Sequence, residues 1–207
     1  MIKISTSILG AHDRIESIQK LNHTQTDYIH IDVMDNVFVP NYQLPLNEVN
    51  ELGRYTQKPF DIHLMIQHPI EYIKALTVKN IDCITIHLEI TDSLDEIIDL
   101  IRSYNYKIGI AIKPNTDINL IDKYIDQIDR ILIMSVEPGF GGQKFIEKSI
   151  DRIIAIRNKR KDISIEVDGG INDQTIKKIN ELADIAVVGS YITGNDNYEE
   201  AINNLKN

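Results

Sequence analysis

The chain has 207 residues, 43% of them hydrophobic and 26% charged, proportions that fit a soluble globular protein and leave little scope for disorder. A formal net charge of −9 argues against a general nucleic-acid surface, because sequence-independent phosphate binding needs clustered Lys and Arg. An anionic small-molecule partner would have to be held by local backbone amides and a metal, not by the overall field.

Along the chain, short runs rich in Ile and Val alternate with longer amphipathic stretches, the pattern of repeated βα units. The pattern predicts strands over Ile2–Ile8, Tyr28–Val33, Phe60–Met65, Cys83–His87, Lys107–Ile112, Arg130–Ser135, Ser164–Val167 and Ile185–Val188. Helices are predicted over His12–Leu21, Leu46–Tyr55, Ile70–Val78, Ser93–Tyr104, Ile118–Ile128, Ile146–Arg160, Asp173–Leu182 and Tyr198–Leu205. Apolar residues in these stretches recur at steps of three and four, as in Leu94, Ile97, Ile98 and Ile101. Eight strand-then-helix units imply one (β/α)8 TIM barrel over residues 1–207, near the short end of that fold's range of about 200 to over 400 residues.

Cys83, the single cysteine, rules out an intramolecular disulfide and reads as a small buried hydrophobe of its strand. The start of the chain shows no basic region followed by an apolar block, and no apolar run approaches bilayer length. A cytoplasmic protein without membrane contact is expected.

In Tyr28-Ile29-His30-Ile31-Asp32-Val33-Met34-Asp35, the two-residue spacing of His30, Asp32 and Met34 points all three to one face of the strand. A His and an Asp on one side of a buried strand must be paired, metal-bound or catalytic. Barrel active sites sit at the carboxyl ends of the strands, and polar residues gather there on nearly every unit. Ser7 ends the first strand, His30 and Asp32 the second, His63 the third, and His87 and Glu89 the fourth; Asp168 follows the seventh. His30, Asp32, His63 and Asp168 can supply nitrogen and oxygen ligands to one divalent cation.

Gly139-Phe140-Gly141-Gly142, Gly169-Gly170 and Gly189-Ser190 follow strands six, seven and eight, where such barrels often seat a phosphate. Each pair alone reads as a turn; three at adjacent strand ends read as a grip built from backbone amides. Met34, Met65 and Met134 fall at or just past strand ends, either as packing or as an apolar lining that shields a charged intermediate. Lys113, at the end of the fifth strand, leaves open a Schiff-base aldolase.

Together these motifs resemble the ribulose-phosphate 3-epimerase family. The resemblance is carried by Ser5-Thr6-Ser7-Ile8-Leu9, His30-Ile-Asp-Val-Met-Asp35, Phe38-Val39-Pro40-Asn41, Asp61-Ile62-His63-Leu64-Met65 and His68-Pro69-Ile70-Glu71-Tyr72-Ile73. It continues through Thr85-Ile86-His87-Leu88-Glu89, Pro138-Gly-Phe-Gly-Gly-Gln143-Lys-Phe-Ile146, Val167-Asp168-Gly169-Gly170-Ile171 and Val188-Gly189-Ser190, and so spans nearly the whole chain in order.

The resemblance implies that His30, Asp32, His63 and Asp168 are metal ligands, that Asp32 takes the C3 proton, and that Asp168 returns one to the opposite face. It implies substrate contacts from Ser7 and His63, from Asp168, and from the three glycine-bearing loops: Gly139, Phe140, Gly141 and Gly142; Gly169 and Gly170; Gly189 and Ser190. The expected reaction interconverts D-ribulose 5-phosphate and D-xylulose 5-phosphate through an enediolate, with one divalent ion (Zn, Fe, Mn or Co) as cofactor. A homo-oligomer is expected with it. The alternatives are the same chemistry on D-allulose 6-phosphate, the Lys113 aldolase and a non-catalytic phosphosugar-binding barrel. Three positions depart from the family pattern: Asn36 stands where Gly is usual, Asn41-Tyr42-Gln43-Leu44-Pro45 lacks a Gly-Pro pair, and Thr6 replaces a frequent Pro.

Overall fold

Period-two alternation shapes each barrel strand: one face carries Ile, Leu and Val toward the helices, and the other turns into the barrel. The computed structural model describes residues 1–206, and Asn207, the last residue of the expected domain, lies outside them. The strands are β1 (Lys3–Ser7), β2 (Tyr28–Asp35), β3 (Tyr42–Gln43), β4 (Phe60–Met65), β5 (Ile81–His87), β6 (Lys107–Ile112), β7 (Arg130–Met134), β8 (Ser164–Asp168) and β9 (Ile185–Val188). All pair in parallel except β3, which returns antiparallel to β2 with Met34 opposite Gln43 and Asp35 opposite Tyr42. The order β1-β9-β8-β7-β6-β5-β4-β2 closes through pairing of β1 with β2. This is the expected (β/α)8 TIM barrel.

Helices α1 (Arg14–Leu21), α2 (Leu46–Leu52), α3 (Ile70–Lys74), α4 (Leu94–Ser103), α5 (Ser149–Lys159), α6 (Ser190–Thr193) and α7 (Tyr198–Lys206) accompany the sheet. α4 shows how the sequence builds them. Ser93 caps it by accepting from the Glu96 backbone N–H, and Arg102 stands in its last turn. Leu94, Ile97, Ile98 and Ile101 are buried on one stripe. At about 1.5–3 kcal/mol per buried side chain, that stripe outweighs the cap in holding the helix. Ile98→Asp would break it.

Several predicted helices are shorter than expected, as where Ile146–Arg160 is helical only over Ser149–Lys159, and three lose the largest share of their length. Ile118–Ile128 is a 3-10 helix only over Ile118–Lys123 and then a run of turns, with Tyr124 N bonded to Ile121 O and Gln127 N to Tyr124 O. Ile121, Ile125 and Ile128 are still buried, so steps of three and four served turns as well as they serve an α-helix, and the interspersed Asn and Asp are poor helix formers. In Asp173–Leu182, only Ile176–Lys178 is helical, because the Asn172 side chain accepts from the backbone of Gln174 and Thr175 and sets a turn there. α3 stops at Lys74 because Asn50 of α2 binds Ala75 O and Thr77 N.

The apolar core lies between sheet and helices, and it is dominated by isoleucine. The barrel interior near the start of the strands is polar instead. Arg130 NH1 meets Asp61 Oδ1 at 2.7 Å and Glu166 Oε2 at 3.3 Å, and its NH2 meets Asp82 Oδ2 at 2.8 Å. Asp61 Oδ2 also accepts from Ser5 Oγ at 2.8 Å and lies 2.9 Å from His30 Nδ1. This network underlies the site at the other end of the same strands.

Candidate active site

β2, β4 and β8 deliver His30, Asp32, His63 and Asp168 to one point. His30 Nε2 is 3.3 Å and His63 Nδ1 3.4 Å from the same oxygen, Asp32 Oδ1, and His63 Nδ1 is 3.7 Å from Asp168 Oδ2. One donor atom from each of the four lies within 4.8 Å of all the others. Both imidazoles are fully buried, Asp32 is 4% exposed and Asp168 half-buried. Among the described residues, His30 Nε2 and His63 Nδ1 are buried with no hydrogen-bond partner. Two imidazole nitrogens without hydrogen-bond partners, facing two carboxylate oxygens, are the donor set of a divalent ion such as Zn²⁺. These residues fit that group.

The remaining ring nitrogens are anchored. His30 Nδ1 is held by Asp61, and His63 Nε2 lies 2.9 Å from His87 Nε2, whose Nδ1 is 3.0 Å from Glu89 Oε2. Ser7 Oγ donates to Asp32 Oδ2 at 2.6 Å, so the serine expected to contact substrate also fixes the carboxylate's rotamer. A second group, His30, Asp61 and Glu166, has the spacing of a metal site, but Arg130 already supplies its positive charge.

Protonation separates the two aspartates. Burial opposes ionisation of Asp32, yet the adjacent His30 holds its carboxyl well below the usual range. Burial and the negative charge of Asp32 push Asp168 up to about 6. Burial opposes the His30 imidazolium, but Asp32 and Asp61 outweigh it and hold the proton tightly. His87, buried and close to His63, is pushed down to about 4.

Above this cluster opens a cleft of about 930 Å³. Ser7, Asp32, Asp168, Met34, Met65 and Met134 form its inner wall, and each methionine is 2% exposed. His30 and His63 lie beneath that wall. Gly139, Phe140, Gly141, Gly142, Gly169, Gly170, Gly189 and Ser190 line the cleft too, so the three glycine-bearing loops all face it. Gly169 and Gly170 have φ of +119° and +65°. A Cβ on Gly170 would stand 2.3 Å from the Phe145 backbone nitrogen, so only glycine lets the two loops pack this closely. Ser190 begins α6, and the first turn of a helix leaves backbone N–H groups without intrahelical partners.

Lys113 is absent from the cleft wall, and its Nζ sits 3.8 Å from the centre of the Phe38 ring. Asn36 adopts φ +60°, the left-handed turn that Gly would make; its N–H bonds Asn41 O, and Asp35 Oδ1 accepts from Val37 N and Phe38 N. The altered loop beyond it forms β3 and brings Gln43 to the cleft, where Arg14 NH2 holds its Oε1 at 2.6 Å. Asp61, Arg130 and Gln43 escaped the sequence reading; the period-two placement of Asp61 before His63 was the one available signal.

The family model for the ribulose-phosphate 3-epimerase family matches residues 3–193. A ribulose-phosphate 3-epimerase of Bacillus subtilis (strain 168) is 36% identical, with 100% of this chain and 99% of that protein covered. A chloroplastic ribulose-5-phosphate-3-epimerase of Arabidopsis thaliana is also 36% identical, over 99% of this chain and 76% of that one. The crystal structure of 3-hexulose-6-phosphate synthase from Salmonella typhimurium superposes with a TM-score of 0.73 at 16% identity, covering 99% of this chain and 96% of that one, a likeness of fold alone. The matching motifs from Ser5 to Ser190 and the convergence of His30, Asp32, His63 and Asp168 at the barrel mouth agree with the sequence relatives: the chain belongs to the ribulose-phosphate 3-epimerase family, and as an epimerase it is an isomerase.

Proposed function

We propose that the chain interconverts D-ribulose 5-phosphate and D-xylulose 5-phosphate by proton transfer at C3, with Asp32 as the base and Asp168 as the acid on the opposite face. The observation that carries this reading is the placement of two carboxylates from different strands, Asp32 and Asp168, on the wall of one cleft beside His30 and His63. Two carboxyl groups borne by the non-adjacent strands β2 and β8, one to accept and one to donate the proton, are what inversion of a carbon acid requires. His30, Asp32, His63 and Asp168 would hold the divalent ion, which when bound supplies positive charge against the developing enediolate. The three methionines exclude water and offer that intermediate no proton, and the glycine-bearing loops take the phosphate on backbone amides.

The reading extends to a homo-oligomer in the cytoplasm. No helix among the described residues is long and apolar enough to cross a membrane, and Val37 and Tyr42 expose apolar surface beside the cleft. The activity is tested by following D-ribulose 5-phosphate by NMR with metal-stripped protein to which Zn²⁺, Fe²⁺, Mn²⁺ or Co²⁺ is returned singly. D-xylulose 5-phosphate forming only after metal return is the expected result. No conversion with any of the four metals rejects the reading, and turnover of D-allulose 6-phosphate in its place reassigns the substrate. Sedimentation tests the oligomer.

A further inference from the structure

We propose that Glu89 and His87 are positioning residues that hold His63 as the tautomer with a bare Nδ1, an inference that rests on the metal-dependent reading above. Glu89 Oε1 is anchored by the Lys113 backbone N–H at 2.7 Å and by the Thr116 hydroxyl, which leaves Oε2 facing His87 Nδ1 at 3.0 Å. A carboxylate only accepts, so Nδ1 of His87 carries the hydrogen. The neutral ring then presents a bare Nε2, and the 2.9 Å contact between this atom and His63 Nε2 is filled by a hydrogen on His63. That hydrogen leaves His63 Nδ1 with its lone pair directed at Asp32 and Asp168. It also explains why this buried nitrogen has no hydrogen-bond partner.

The relay is sealed. His87 and His63 are fully buried with ring centroids 5.0 Å apart and planes within 28°, the arrangement of rings meeting edge to edge, Phe38 packs on His87 at 4.7 Å between centroids, and the Lys113 ammonium covers Phe38. Because burial keeps both rings from solvent, the hydrogen order set at Glu89 is transmitted two rings inward. Outer partners of this kind orient a ligand and sustain its basicity, and their loss costs about 10–100-fold in metal affinity.

Two measurements on the full chain test this. The first is a long-range 1H–15N imidazole spectrum of the metal-free wild type, in which His63 is expected to carry its hydrogen on Nε2 and His87 on Nδ1. The second is calorimetric titration with Co²⁺ alone: His87→Leu should bind tenfold or more weakly, and His87→Gln, whose amide oxygen can accept from His63 Nε2, within about threefold of wild type. A hydrogen on His63 Nδ1, or Co²⁺ affinity in His87→Leu within threefold of wild type, would overturn the relay. Failure of the wild type to bind Co²⁺ at all would instead remove the metal-dependent reading, and the spectrum of the wild type would still decide the hydrogen order.

Discussion

Arg130 NH1 lies 2.7 Å from Asp61 Oδ1 inside the barrel, and Asp61 Oδ2 in turn lies 2.9 Å from His30 Nδ1. A guanidinium at the start of β7 thus reaches a candidate metal ligand on β2 through one carboxylate on β4. Arg130→Leu strands the buried carboxylate of Asp61 and should cost about 3–5 kcal/mol, read as a lower urea midpoint. An unchanged midpoint would show that the network adds nothing to stability.

Gly170→Ala places a Cβ against the Phe145 backbone in a conformation that alanine rarely adopts. The loop must shift, and with it the part of the cleft proposed to take the phosphate. KM for D-ribulose 5-phosphate should rise tenfold or more while Co²⁺ affinity stays within twofold, since Gly170 is not among the four grouped ligands. Equal losses in both would assign the loop to the metal centre.

Burial pushes the Cys83 thiol up to about 12, with Asp61 and Glu166 adding to the rise and Arg130 opposing it. Because the thiolate is the reactive form, raising the pH from 7 to 9 should leave native Cys83 unlabelled by a disulfide reagent, whereas urea-unfolded chain labels at once. Rapid labelling of the folded protein at pH 8 would contradict the fully buried placement.

At Asn36 the backbone sits at φ +60°. Asn36→Gly should therefore change stability by no more than about 0.5 kcal/mol, and Asn36→Val should lose about 1–2 kcal/mol, because a β-branched side chain clashes in the left-handed region. Thermal unfolding of the two variants compares them directly.

The barrel was legible because most of its eight parallel strands are short Ile- and Val-bearing runs bounded by polar residues, and His30, Asp32 and Met34 share a face by the two-residue period alone. The supporting partners were not. Asp61, Arg130 and Glu166 meet only because β4, β7 and β8 close around one interior, and no local pattern announces a pairing between residues 69 positions apart, as in Arg130 with Asp61. The 3-10 segment at Ile118–Lys123 was misread for a related reason: its isoleucines keep helical spacing, while the hydrogen bonds that distinguish a 3-10 helix leave no mark on that spacing. β3 is only two residues long and follows from the Asn36 turn, which the sequence marked as a departure without saying where the chain would go next.

The two-carboxylate scheme is tested most directly by incubating D-ribulose 5-phosphate in deuterated water with wild type, with wild type plus chelator, and with Asp168→Asn. Deuterium at C3 together with D-xylulose 5-phosphate is expected from metal-loaded wild type, and at least a thousandfold less product from the other two. Full conversion by Asp168→Asn, or by the chelated enzyme, would contradict it.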